Sequence, residues 1–340
     1  MTKTTGCTFP TEWHRQDAVL MAFPHGGTDW ADDLKGALTP FVRIASSIAY
    51  NEPVIIVCDD PESTKSLFCE IRNITFVRLP TNDTWARDFG PITVYEKGKR
   101  KFLDFTFNGW GNKFESALDN AVTEALIEKG YLYGGYEKVD FVLEGGSIET
   151  DGTGTLLTTS RCLLNPNRNP GMDKSAIEAL LKEKLCIERI LWLDHGELEG
   201  DDTDAHIDTL ARFVDAETII YAACDDPEDA HYEPLKRMEA QLATFRTKEG
   251  NPYRLVPLPI PSPKHDRKGR RLPATYANFL ITNHAVLLPV YDDARDKPTV
   301  ELFKTLFPGR EVIPINCLKL IEQGGSLHCV TMQIPSFYQE

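Results

Sequence analysis

Cys329 stands in the run Gln323-Gly324-Gly325-Ser326-Leu327-His328-Cys329, near the end of a 340-residue chain. A thiol after a Gly-Gly turn can be a nucleophile held at a strand end, although most free cysteines are small buried hydrophobes. Its company gives it weight. Asp202-Thr203-Asp204-Ala205-His206-Ile207-Asp208-Thr209 leads into the apolar run Leu210-Ala211-Arg212-Phe213. Read as the opening of a strand, it projects Asp204, His206 and Asp208 from one face, an acid or base between two carboxylates. A solvated acidic turn is the alternative; a calcium loop is not, since the Asp-x-Asp spacing lacks the following Gly and the terminal Glu.

Two further motifs carry carboxylates. Trp85-Ala86-Arg87-Asp88-Phe89-Gly90-Pro91 sets a Trp, an Arg and an Asp before a turn into a strand. Trp85 and Asp88 suit a flat cation that stacks on a ring while its edge is hydrogen-bonded, and Arg87 reads as the structural ion partner of Asp88. Glu144, before Gly145-Gly146, ends the apolar run Val139–Leu143, where a carboxylate is costly to bury unless it is paired or serves a cation. A guanidinium fits this set. Its paired N–H groups match carboxylates, and its carbon yields readily only to a strong nucleophile such as a thiolate. Carboxylates raise a thiol's pKa and a bound cation reverses their field, so the substrate itself helps to make the thiolate. Zinc explains less, because His206, Asp208, His328 and Cys329 are metal-capable types without an HExxH or CxxC spacing.

Charge agrees with a cationic partner. The formal net charge is -14, which disfavours a phosphate-binding surface and with it nucleic acid. Eight cysteines are scattered at 7, 58, 69, 162, 186, 224, 317 and 329 without a CxxC pair, and they read as free thiols of a reducing compartment. Met1-Thr2-Lys3-Thr4-Thr5 has no apolar signal core, and no window approaches the ~18 apolar residues of a membrane span. A cytoplasmic protein away from the membrane is expected. Oligomeric state is not legible, and a homo-oligomer is compatible with the sequence.

The elements that must position these groups alternate along the whole chain. Short β-branched runs read as strands at Val19–Phe23, Val54–Cys58, Ile74–Leu79, Ile92–Tyr95, Phe102–Phe107, Val139–Leu143, Thr155–Thr159, Arg189–Leu193, Ile207–Phe213, Thr218–Ala222, Ala277–Ile281, Ala285–Val290, Val312–Ile315 and Val330–Ile334. Helical periodicity marks Asp33–Tyr50, Glu62–Ile71, Glu115–Lys129, Ser175–Lys184, Glu228–Thr244 and Asp296–Phe307, with Ser175-x-x-Glu178 in the form of a capping box. The class is mixed α/β. Strands outnumber helices more than twofold, which points to units of two or three strands per helix. Two motifs recur: Asn82–Arg87 aligns with Asp201–His206, and Glu144–Ile148 with Gln323–Leu327, as if similar modules surround one centre. Pro257, Pro259, Pro261 and Pro263, followed by the basic run 264–271, read as an exposed loop or a lid. No interdomain linker is evident, so residues 1–340 form one catalytic domain.

Six ordered motifs spread over nearly the whole chain resemble the agmatine deiminase and bacterial peptidylarginine deiminase family of the guanidino-group-modifying superfamily. They are Phe9–Trp13 with Met21–His25, Trp85–Pro91, Glu144–Ser147, Asp202–Asp208, Tyr276–Phe279 and Gly324–Thr331. The resemblance implies a pentein fold, a five-bladed α/β propeller of ββαβ modules. It also implies agmatine deiminase activity on a polyamine-synthesis route, with no metal or organic cofactor. Cys329 would attack the guanidinium carbon, and His206 would protonate the departing ammonia and then activate water. Asp88 and Asp208 would grip the guanidinium, with Glu144 as the third carboxylate, and Trp85, Asp202 and Asp204 are candidates for the substrate's far end. Ala205 departs from the Gly common there, and Met332 from a common Gln. An arginine or peptidylarginine deiminase is the near alternative, for which Arg270 and Arg271 would matter. A Cys-His-Asp amidase would not need three carboxylates around the thiol, and a catalytically silent binder of cations would not need Cys329.

Overall fold

The computed structural model describes residues 6–337; the Met1–Thr5 segment weighed above lies outside them. Five small sheets each follow one plan: an antiparallel pair, a helix, then a strand parallel to the second. Parallel neighbours need a crossover, and the helix supplies it. In one sheet Ile92–Glu96 and Lys99–Thr106 precede helix Val122–Glu128 and strand Gly135–Val142, with Cys7–Thr8 on the free edge. The next runs Ile148–Thr150, Thr155–Thr159, helix Lys174–Lys184 and Arg189–Leu193. Ala211–Phe213, Thr218–Ala223, helix Tyr232–Leu242 and Arg254–Pro259 make a third. Leu280–Ile281, Ala285–Val290, helix Asp296–Leu306 and Glu311–Asn316 make a fourth. The last sheet closes the ring, because Met332–Pro335 from the chain's end pairs with Gln16–Ala22 from its beginning. Helix Leu34–Ala49 then crosses to Val54–Cys58, which also pairs with Ile74–Arg78. This is the five-bladed α/β propeller.

Burial falls outward along each blade. Ala211, Arg212 and Phe213 of a leading strand are each 0% exposed, whereas in the outermost Arg254–Pro259 only Leu258 is buried. The helices lie over the sheets by one face. In Leu34–Ala49 the buried Ala37, Phe41, Ile44, Ala45 and Ile48 recur at helical spacing, and Asp33 caps the start by accepting from Gly36 N.

Several expectations need correction. Ile207–Phe213 is not one strand: Ile207–Thr209 is a 3-10 turn and the strand begins at Ala211. Asp204 and Ala205 have φ of +68° and +65°, so strand alternation does not govern this segment, and a glycine at 205 would relieve the strain that Ala205 bears. The cap of Lys174–Lys184 is Asp173, whose Oδ1 accepts from Ala176 N at 2.8 Å. Glu178 instead takes Trp192 Nε1 at 2.9 Å and Lys182. Pro257 and Pro259 belong to the edge strand Arg254–Pro259, whose outer side needs no N–H donors, so the loop is shorter than the proline run suggests. Cys7 and Cys186 form a disulfide across a separation of 179 residues, leaving six free cysteines. Cysteine usage therefore does not by itself indicate a reducing compartment. Among the described residues no helix is long and apolar enough to cross a membrane.

Candidate active site

The segments entering all five leading strands meet at the centre. Trp85–Asp88 precedes Ile92–Glu96, Glu144–Ser147 precedes or caps Ile148–Thr150, and His206–Asp208 precedes Ala211–Phe213. Tyr276–Asn278 precedes Leu280–Ile281, and Ser326–Cys329 precedes Met332–Pro335. Residues more than a hundred positions apart thus come into contact because each blade delivers its motif at the same structural place.

Cys329 is 5% exposed and opens on a cavity of about 180 Å³. Asn278 Nδ2 donates to its sulfur at 3.3 Å, and Asp208 Oδ2 lies 3.9 Å away. Asn278 Oδ1 also accepts from His328 N at 2.9 Å, fixing the turn that carries the thiol. Burial pushes the Cys329 thiol well above its usual range, and Asp208 and Asp88 push it further. The free site therefore holds a thiol, and an arriving cation is what lowers its cost of ionising.

Asp88 is held by two donors, Gly146 N to Oδ1 and Trp110 Nε1 to Oδ2, each at 2.9 Å. Burial, with Asp208 and Glu144 adding to it against the pull of His206, raises its pKa to about 6. His206 Nδ1 is 3.6 Å from Asp88 Oδ1, and neither ring nitrogen has a hydrogen-bond partner. Burial alone would discharge this imidazole, but Asp88, Cys162 and Glu144 outweigh it and raise the pKa well above the ordinary histidine value. Asp208 Oδ1 is likewise buried without a partner. Orphaned buried acceptors and donors around one thiol mark a place built for a polar ligand.

Gly146 leaves the room for it. A Cβ there would lie 2.7 Å from His206 Nδ1, 2.9 Å from Asp88 Oδ1 and 3.1 Å from Asp208 Oδ2. Gly146→Ala is expected to lower kcat/KM by roughly 10²-fold or more, the scale of an ångström's misplacement, with a small change in thermal midpoint. A steady-state assay beside a melting curve checks this.

Glu144 is fully buried, and Arg168 Nε donates to both its oxygens at 2.8 and 3.0 Å. Arg168 Nη1 also holds Asp204 Oδ2 at 2.8 Å, and Lys113 takes Asp204 Oδ1 at 2.9 Å. Asp204 is thus a structural ion partner rather than a wall of the cavity. Arg168→Met leaves the Glu144 charge buried and unpaired, so unfolding free energy is expected to fall by about 3–5 kcal/mol in a denaturant titration.

Of the remaining sequence candidates, Trp85 and Asp202 line the cavity. Trp85 Nε1 donates to Asp83 at 3.0 Å, and Trp85 also packs where a Cβ on Gly325 would clash. Arg87 does not pair with Asp88: it bonds Gln333 Oε1 at 2.6 Å and lies 3.9 Å from Glu12. His328 turns away from the thiol, with Nδ1 2.7 Å from Asp208 Oδ2 and Nε2 2.7 Å from Glu12 Oε2. Arg270 lines the cavity, donating to Glu322 O at 3.0 Å, whereas Arg271 is tied to Asp229. Trp110, Asn278 and Arg168 had been given no role. Asn278 lies in the Tyr276–Phe279 motif, and the glycines on either side of Trp110 are the sequence signal of its left-handed turn. Two metal-capable trios exist among the described residues, Glu144-Cys162-His206 and Glu12-Glu149-His328. Arg168 and Arg212 already serve their carboxylates.

The cavity wall is acidic beyond Asp88. Asp29, Asp83 and Asp202 also line it, with Arg270 as the one cation among the described residues of its wall. Burial, then Asp29, raises the Asp83 pKa to about 7; burial, then Asp201, raises that of Asp202 to about 6.

Known proteins share this architecture. Residues 8–335 match the family model of Porphyromonas-type peptidyl-arginine deiminase. An agmatine deiminase of Stutzerimonas stutzeri is 33% identical, covering 97% of this chain and 96% of that protein. The structure of a cysteine-to-serine variant of the C. jejuni agmatine deiminase, with substrate bound, is 40% identical at TM-score 0.93, covering 98% of this chain and 97% of that one. A Porphyromonas gingivalis structure, provisionally named an arginine deiminase, is 49% identical at TM-score 0.94, covering 98% and 100%.

Proposed function

The chain belongs to the Porphyromonas-type peptidyl-arginine deiminase family, and from that membership we propose that it hydrolyses agmatine to N-carbamoylputrescine and ammonia. One observation carries the substrate: the cavity onto which Cys329 opens is lined by Asp88 and by three further carboxylates, Asp29, Asp83 and Asp202, and Asp208 Oδ2 lies 3.9 Å from the sulfur. Agmatine is cationic at both ends, a guanidinium and an ammonium. Arginine would bring a carboxylate among these acidic groups. Arg270 favours arginine as the second reading, yet it faces three carboxylates and its guanidinium is already engaged with Glu322 O and Asp266.

The guanidinium rests between Asp88 and the bare Oδ1 of Asp208, with its carbon over Cys329. The Cys329 thiol gives its proton to solvent as the bound cation offsets Asp88 and Asp208, and the thiolate attacks that carbon and makes a C–S bond. His206, charged in the free site, gives its proton to the departing amino group, which leaves as ammonia. The amidino-thioether remains. Neutral His206 then takes a proton from water as its oxygen adds to the same carbon, and collapse expels the thiolate, which regains a proton from the new hydroxyl as the ureido product forms. Glu144 and Asp88 hold the imidazolium, and no step requires a further group. A single catalytic domain, a cytoplasmic setting and a role in polyamine synthesis complete the proposal.

Ammonia and ureido product are measured with agmatine, free arginine and a blocked arginine peptide. Agmatine is expected to be preferred by roughly 10²-fold or more in kcat/KM, as befits a buried charge left unmatched; preferential turnover of either arginine substrate would refute the assignment. On the acid side kcat/KM is expected to rise with pH through about 6, because Asp88 must shed its proton to hold the cation. A profile flat from pH 5 to 7 would contradict the raised Asp88 value.

A further inference from the structure

Asp208 has two differently used oxygens. Oδ2 is 2.7 Å from His328 Nδ1, while Oδ1 is buried and unpartnered. The opposite ring nitrogen of His328 is 2.7 Å from Glu12 Oε2. Glu12 is itself fixed, by Arg212 Nη2 at 2.7 Å and by Ile281 N at 2.7 Å, and Arg212 is pinned by Glu149 and by Phe279 O at 2.9 Å. All of these side chains are buried. A nitrogen at 2.7 Å from a carboxylate on each side requires a proton in each gap. Glu12, His328 and Asp208 therefore share two protons and a net charge of -1, whichever atoms carry them.

We propose that His328 is a positioning residue for the reaction, clamping Asp208 by one oxygen so that the other stays a bare, ionised acceptor for the substrate's guanidinium, with Glu12 as the anchor behind it. This rests on the deiminase reading given above. Without the clamp Asp208 could turn its free oxygen elsewhere, and burial would favour its protonated form. The groups facing Asp208 are His206 from its own turn, His328 and Cys329 from the last turn, Asp88 across the site, and Arg212, Arg87 and Glu12 behind. Burial raises the Asp208 pKa, and the bond from His328 is the largest influence lowering it, ahead of His206 and Arg212. Removing that bond moves the pKa up, so the pH at which substrate affinity is lost moves up with it.

His328→Leu, which keeps no donor, and His328→Asn, which keeps an amide donor, are compared with the native protein in kcat, KM and their pH profiles. In the Leu variant KM for agmatine is expected to rise about tenfold or more with kcat falling less than about threefold, and the Asn variant is expected to recover most of the loss. Agmatine affinity measured calorimetrically in Cys329→Ser protein should show the acid limb shifted upward by roughly half a pH unit or more in His328→Asn, whose amide replaces the bond to Asp208 but not the contact with Glu12 that anchors it. That second measurement decides should the Leu variant not fold. Equal KM values in all three proteins, equal losses in both variants, or an unmoved acid limb would overturn the proposal. A native protein that turns over no guanidine would instead refute the deiminase assignment, leaving the two failures distinct.

Discussion

Cys329→Ala is expected to reduce agmatine turnover by on the order of 10⁵-fold or more, the scale seen when a covalent nucleophile is removed. Binding should survive, because the thiol contributes little to holding a cation. The carboxylates of Asp88 and Asp208 remain, and the ring of Trp85 still lines the cavity. Affinity is expected to hold or fall slightly, since a thiolate stabilised by the bound cation stabilises that cation in turn. The variant should also fold, because Cys329 is a small side chain whose removal costs only a modest contact with Asn278. Steady-state assay together with calorimetric titration separates the two effects: lost turnover with intact binding supports the role, and retained turnover excludes it.

His206→Asn has the second-largest expected effect. The imidazole has no hydrogen-bond partner on either nitrogen, yet it is 1% exposed and faces Asp88, Cys162 and Glu144. In the resting fold Asp88 at 3.6 Å, Cys162 and Glu144 hold its charge, and it stands beside the reacting groups as their proton donor. It serves twice, as acid toward ammonia and as base toward water, and each transfer is worth roughly 10²–10⁴-fold. A fall of about 10³-fold or more in kcat is expected, with KM little changed and without rescue at any pH, because asparagine does not titrate. A variant that regains activity at high pH would show that His206 acts only through its charge.

Much of the fold was legible because its physics is local. Val54–Cys58, Thr155–Thr159, Arg189–Leu193 and Ala285–Val290 were located to the residue, since each is a short run rich in apolar or β-branched residues and bounded by polar turns. The two doubled motifs pointed to modules around one centre, and the structure places such motifs at the head of four of the five blades, with Tyr276–Asn278 at the fifth. Cys329, His206, Asp88 and Asp208 do come together, but strand alternation is not what places His206 and Asp208 there. His206 and Asp208 share a site through a 3-10 turn entered by left-handed residues, whereas Asp204 is turned out to Arg168 and Lys113. Period-two reasoning fails wherever the backbone leaves the strand region.

The partners of the charged groups were the least legible part. Arg87 lies next to Asp88 in sequence but opposite Gln333 in space, and Arg168 holds Glu144 from 24 residues away. Such pairings are set by ring closure, which brings Glu12 from one end of the chain against His328 from the other. A sequence shows that these charges are costly to bury without showing which will neutralise which. The departure at Ala205 became intelligible only with its φ of +65°: a left-handed backbone is one that glycine adopts without strain.

The central claim is that Cys329 carries the substrate covalently. The most direct measurement quenches the native protein in acid during turnover of agmatine, digests it and maps the mass of each cysteine peptide. The account predicts an adduct on the Cys329 peptide equal to agmatine less ammonia, formed with the first ammonia released and gone once substrate is exhausted. Continued release of ureido product with Cys329 unmodified at every quench time, or an adduct confined to another cysteine, would contradict it.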